Sequence, residues 1–247
     1  VKMKKVAIRI GHPAHVHFFN PIIKSLENQD IETLVLVKSR EIDTTHSLLN
    51  FYKIPFKLYG PSGISSLERL SFALSLEISL YNLIKPFNPD LILGIGGPYF
   101  THVGKLLGVR TLLFTDTEDA HLINGLAFPF ASSIITPSCF NRRVPKKKHI
   151  KYAGYHELAY LHPEVFKPDL KIFSELPVTS EDKFVVVRFA SWDSSHDIGQ
   201  TGFRNMKERF TFIKYLESFC KVFITSEIKL PSVFEKYRLN LSPEKIH

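Results

Sequence analysis

The sequence predicts an α/β protein built on a doubly wound, parallel sheet. Three observations carry that expectation. Short β-rich runs alternate with segments whose apolar residues recur at helical spacing. The loops that follow the β-rich runs hold the chain's conspicuous Gly, His and Asp residues, where open α/β sheets place their ligands. At 247 residues the chain has room for one or two domains, and 44% hydrophobic with 23% charged residues excludes disorder, collagen or coiled coil for the whole of it.

Residues 6–10 form the first strand, broken by Gly11, His12, Pro13, Ala14 and His15. Apolar residues at 18, 19, 22, 23 and 26 then predict a helix over 18–28. Strands follow at 33–37 and 56–59, with a helix at 42–52 between them. The longest helix spans 66–85, ended by Pro86, and is apolar round most of its circumference. Such a helix is buried between a sheet and its neighbours, or faces a membrane surface or a partner. A strand at 91–93 leads into Gly94, Ile95, Gly96 and Gly97, and a helix at 101–107 follows. The strand at 111–114 leads into Thr115, Asp116, Thr117, Glu118 and Asp119, then a helix at 121–128 and a strand at 133–136. This alternation implies right-handed βαβ units and a complete first domain over 1–140. Residues 141–180 read as a connector. Residues 181–247 begin a second lobe, with strands at 184–188 and 222–225 and a helix at 206–219. Two strands do not close a parallel sheet of ordinary size, so the second lobe is expected to be incomplete as written.

The net charge is +8, and residues 1–160 carry most of it, with 19 basic against 12 acidic residues. The excess is concentrated in Arg142, Arg143, Lys146, Lys147, Lys148 and Lys151, which read as a solvated linker or a site for phosphate or acidic lipid. No nucleic-acid motif accompanies them, so no nucleic-acid partner is expected. The opening apolar run is too short for a signal peptide, and no run of membrane-spanning length follows. Two distant cysteines fit a reduced cytoplasm, with a peripheral membrane contact as an allowed addition. Val1 matches a literally translated GTG start, which suggests a prokaryotic gene.

The candidate site residues lie in four loops. Gly11, His12 and His15 open a helix N-terminus suited to anions, the imidazoles serving as bases or phosphate donors, and His17 lies nearer the helix body. Gly96 and Gly97 allow close backbone approach to a ligand, or form a plain turn. Asp116, Glu118 and Asp119 suit a hydroxylated substrate, a base or a divalent cation, or else Thr117 and Asp119 cap the next helix. The second lobe offers Arg188, Ser191, Trp192, His196 and Asp197. No metal-ligand spacing is present and no cofactor is expected.

Four segments resemble the domain-of-unknown-function family 354 of archaea and bacteria. They are the run from Gly11 to Phe19, the run from Thr115 to Ala120, the segment from Tyr152 through Gly154, His156 and Glu157 to Leu161, and the run from Ser191 to Gly199. Position 115 is usually Asp and 119 usually His in that family, where this chain has Thr115 and Asp119. The family resembles the GT-B superfamily of nucleotide-sugar glycosyltransferases and UDP-N-acetylglucosamine 2-epimerases, which implies two Rossmann-like lobes facing a cleft. The resemblance places His12, His15 and the Asp116 loop on one wall, opposite Ser191, Trp192, His196 and Asp197. The superfamily's late Ser/Gly-rich turn with Glu-Ala is absent. The expected function is glycosyl transfer or sugar epimerisation in nucleotide-sugar or surface-polysaccharide metabolism. In it His12 or His15 is the base, Asp116 or Glu118 orients hydroxyls, and Arg188 meets phosphate. The alternative is a non-catalytic protein that binds a sugar or a partner and has an incomplete donor site.

Overall fold

The computed structural model describes residues 3–39, 43–60, 69–189, 202–203, 205–226 and 230–246. The chain forms two compact units, Val1–Phe166 and Lys167–His247.

In the first unit the elements run β1 (Lys5–Ile10), α1 (Pro13–Glu27), β2 (Glu32–Lys38), α2 (Asp43–Phe51), β3 (Phe56–Tyr59), α3 (Arg69–Phe87), β4 (Leu91–Ile95), α4 (Tyr99–Leu107), β5 (Arg110–Phe114), α5 (His121–Ala127), β6 (Ser133–Pro137), β7 (His149–Tyr152) and α6 (Leu158–Leu161). The strands form one parallel sheet in the order β3-β2-β1-β4-β5-β6-β7. Side chains alternate across β1. Val6, Ile8 and Ile10 pack with Phe19 and Ile23 of α1 and Leu48 and Leu49 of α2, while Ala7 joins Leu80 and Ile84 of α3 and Phe100 and Val103 of α4. Burial on both faces explains why the central strands read as continuous apolar runs.

Three expectations need correction. The helix expected from residue 18 starts at Pro13, because proline is preorganised for a first helical position and the His12 side chain accepts the Ala14 N–H (3.2 Å). His15 and His17 are therefore helical residues. Pro86 does not end α3. It lies within the last turn, and the helix closes at Asn88 (φ 50°), whose N–H donates to Ile84 O (3.0 Å). Residues 141–166 belong to the first unit rather than to a connector. The basic run is anchored there, with Lys148 Nζ donating to Phe128 O and Pro129 O (3.3 and 2.7 Å) and Arg142 to Glu118 O (2.8 Å). Cations bonded to main-chain carbonyls hold β7 beside β6.

Helix α3 is buried on one face and exposed on the other. Leu76, Leu80 and Ile84 are buried, while Leu74 and Ile78 are exposed. With Tyr81, Val103, Leu106 and Phe130 the exposed pair lines an apolar groove of about 470 Å³. Among the described residues, no helix is long and apolar enough to cross a membrane.

In the second unit β8 (Phe184–Phe189) pairs in parallel with β9 (Lys221–Ser226), and α7 (Met206–Glu217) lies between them in sequence. Asn205 caps α7 by accepting the Glu208 N–H (2.9 Å). Ile213, Val222, Ile224, Phe189, Phe234 and Tyr237 form the core.

Candidate functional site

The carboxyl ends of the strands in the first unit bring together residues from four loops. After β1, Gly11 donates its N–H to Nδ1 of His15 (3.2 Å), and His12 lies beside it with ring centroids 5.9 Å apart. Both imidazoles thus use the Nδ1 lone pair on a backbone N–H. A neutral ring bonded in this way carries its proton on Nε2 and presents a donor. His15 is held in that form, because burial, reinforced by Arg9, His12 and His156, pulls its pKa well below 6.5 against the opposing pull of Asp116. This geometry opposes the general-base role expected for His12 or His15.

After β5, the loop is held from α5. Asn124 Nδ2 donates to Thr117 O (2.9 Å), and buried Thr115 lies 3.4 Å from Asn124 Oδ1. Helix α5 starts after Ala120 with no side-chain cap, so Thr117 and Asp119 do not cap it. Asp116 accepts from His156 Nδ1 (2.9 Å) and from Thr117 Oγ1 (3.1 Å). Burial pushes the Asp116 carboxyl up, but the hydrogen bond and charge of His156, with Thr117, outweigh it and hold the group below 3.8. Its side chain remains 37% exposed.

His156 is the functional candidate that residue-by-residue reasoning missed. It follows β7 and is 7% exposed, packed on Phe18 (ring centroids 5.0 Å) and parallel to Tyr152 (6.4 Å, 8°). With Nδ1–H given to Asp116, Nε2 holds the lone pair. That atom and the Tyr152 hydroxyl are both buried without a hydrogen-bond partner among the described residues. Burial, with Asp116 and Glu157 nearby, pushes Tyr152 up to about 12, so it stays a neutral phenol. The signal in the sequence was the segment from Tyr152 to Leu161, which carried a family resemblance but no assigned role. His17, by contrast, is buried against Tyr52 and Tyr160 as part of the α1 packing.

Glu118 serves the scaffold, its Oε1 accepting the Asn141 N–H (3.0 Å). Gly96 (φ 55°) donates its N–H to Phe114 O (2.9 Å), tying the loop after β4 to β5. Gly97 (φ 80°) and Gly11 flank the Arg9 guanidinium, and a Cβ on Gly11 would lie 2.3 Å from it. Arg188 is exposed near the end of β8 in the second unit, opposite Thr225 in register. Ser191, Trp192, His196 and Asp197 lie outside the described residues. Among the described residues, no group of three or more His, Cys, Asp and Glu side chains is placed to hold a metal ion.

Solved structures share this architecture at low sequence identity. The UDP-GlcNAc 2-epimerase of Methanocaldococcus jannaschii, in complex with UDP-GlcNAc and UDP, matches with a TM-score of 0.64 at 11% identity, over 94% of this chain and 68% of that one. The Rickettsia bellii UDP-N-acetylglucosamine 2-epimerase gives 0.63 at 12%, over 97% and 65%. The Neisseria meningitidis UDP-GlcNAc 2-epimerase bound to UDP-GlcNAc gives 0.61 at 14%, over 92% and 73%. At these identities the likeness establishes the fold, the GT-B-like α/β architecture. In sequence the chain is 25% identical over 190 residues to the uncharacterised M. jannaschii protein MJ0665, covering 74% of this chain and spanning about half (55%) of that relative. The loops of the first unit and the start of the second fall within a single family match over residues 4–209, and by that match the chain belongs to the protein family of unknown function DUF354.

Proposed function

We propose that the chain binds a nucleotide-sugar and takes part in glycosyl transfer or sugar epimerisation. The observation that carries this reading is the Asp116–His156 pair beside a neutral His15 at the carboxyl end of a parallel sheet. Asp116 is the accessible member. It accepts the hydrogen of a sugar hydroxyl, and His156 behind it stabilises the carboxylate through its Nδ1–H. His15 donates Nε2–H to a sugar or phosphate oxygen, and the α1 N-terminus favours the same negative charge. Support for the substrate class comes from the fold, which is shared with epimerases solved with UDP-GlcNAc.

Thermal melting with UDP, GDP, CDP and dTDP and their common sugars tests this reading. A ligand at a hundred times its Kd adds about 2.7 kcal/mol, which is easily seen as a raised Tm. One nucleotide family is expected to raise the Tm, with Asp116→Asn and His156→Gln abolishing conversion of its sugar. Binding without conversion in the wild-type protein would move the assignment to a sugar-binding protein. The absence of any shift at millimolar ligand would overturn the nucleotide-sugar reading.

A further inference from the structure

Arg9 is a charged residue within the apolar run 6–10 of β1, in register between Leu36 of β2 and Gly94 of β4. Its Nε donates to Tyr59 Oη (2.9 Å) and its Nη1 to Ile95 O (3.4 Å). No carboxylate among the described residues lies within ion-pair distance, and the Nη2 donors have no partner there. A half-buried guanidinium without a counter-charge is a cost to the fold that a tyrosine hydroxyl and a carbonyl offset only in part. The backbone is nevertheless shaped around it. Gly11 leaves the space in which a Cβ would collide with the guanidinium, and Gly97 comes to 3.4 Å of Nη1 by the same measure. The position is the switch point of the sheet, where β1 is flanked by β2 on one side and β4 on the other, the place where open α/β sheets form their ligand crevice. His15 alongside stays uncharged, so Arg9 supplies the positive charge here and His15 a neutral donor.

We propose that the Arg9 guanidinium, in the crevice between the loops after β1 and β4, binds an oxyanion of the ligand, a phosphate or a carboxylate. Its planar fork presents two N–H groups to two oxygens of either group. This inference stands without the nucleotide-sugar reading, since it requires only an anionic group on whatever the crevice takes.

Calorimetric titration of the full chain with inorganic phosphate, UDP and glucuronate tests it, comparing wild type with Arg9→Gln and Arg9→Lys. Wild type is expected to bind at least one of the three. Arg9→Gln is expected to weaken that binding at least tenfold, about 1.4 kcal/mol, with Arg9→Lys in between. A loss confined to phosphate and UDP identifies a phosphate site. A loss confined to glucuronate identifies a carboxylate site. Phosphate binding that depends on Arg9 with no preference for UDP supports the anion site while counting against the nucleotide-sugar reading. If Arg9→Gln does not fold, phenylglyoxal modification of the wild-type chain, mapped by mass spectrometry, gives the answer, because a bound anion slows modification of Arg9. Equal binding by wild type and a folded Arg9→Gln overturns the proposal. So does the lack of both binding and protection in wild type.

Discussion

The crest of the first sheet has two halves of opposite construction. Over β5 and β7, Asp116 and His156 form a hydrogen-bonded, aromatic-packed pair. Over β1 and β4, Arg9 is held by neutral groups and faces glycines. His15 lies between them and is kept uncharged by burial and by the cation next to it. The difference separates residues that complete the fold from one that the fold tolerates. Removing a member of the paired half breaks packing and leaves a partner exposed, whereas removing Arg9 relieves an unanswered charge.

The largest test of that contrast is His156→Ala. The ring is buried against Phe18, Phe114 and Tyr152, so its loss is expected to cost about 3 kcal/mol in urea unfolding, in the range of large-to-small core truncations. Gly11→Ala comes next at about 1 kcal/mol, because the new methyl pushes the mobile guanidinium tip off Tyr59 and costs that hydrogen bond. The loss of the Arg9–Tyr59 contact should show in the environment of the Tyr59 ring by NMR.

A pH series sharpens the role of His15. Its pKa is lowered in the folded chain, so between that value and 6.5 the unfolded chain binds more protons. The stabilisation is therefore complete above 6.5 and lost as pH falls below it, by at most about 1.4 kcal/mol per pH unit. His149, lowered by burial and then by Lys151, acts in the same direction. Asp116, held below 3.8, adds a second loss when pH falls through its folded value. His15→Gln is expected to flatten the first limb and leave the second. The smallest effect belongs to Arg9→Gln, whose unfolding free energy is expected to stay within about 1 kcal/mol of wild type, lost hydrogen bonds offsetting the relieved charge. A much larger loss would make Arg9 a structural clamp and erase the distinction between the halves.

The fold was legible wherever burial on both faces of a strand forced a run of Val, Ile and Leu, as in β1, β2 and β4. It was not legible at β7. His149, Ile150, Lys151 and Tyr152 form a short, mostly polar strand after three lysines, and their pairing is set by β6 and by side chains reaching back to carbonyls. The error at β7 spread to the site, because that strand delivers His156 to Asp116. Asp116, His12 and His15 stood out as candidates because they follow a strand in the sequence, although His15 lies in the first turn of α1. Arg9 was overlooked because it sits inside a strand, yet a lone cation in an otherwise apolar run was itself the signal. Glu118 accepts the Asn141 N–H, a contact that nothing in the sequence could announce.

The position of β7 gives the basic run a further consequence. A parallel sheet ends at its last strand with a row of backbone groups able to recruit another chain. Here that strand is four residues long, carries Lys151, and is entered through Lys146, Lys147 and Lys148. A second copy adding edge to edge would have to bring its own lysines alongside these and strip them of water. These four lysines thereby guard the edge against sheet-to-sheet aggregation.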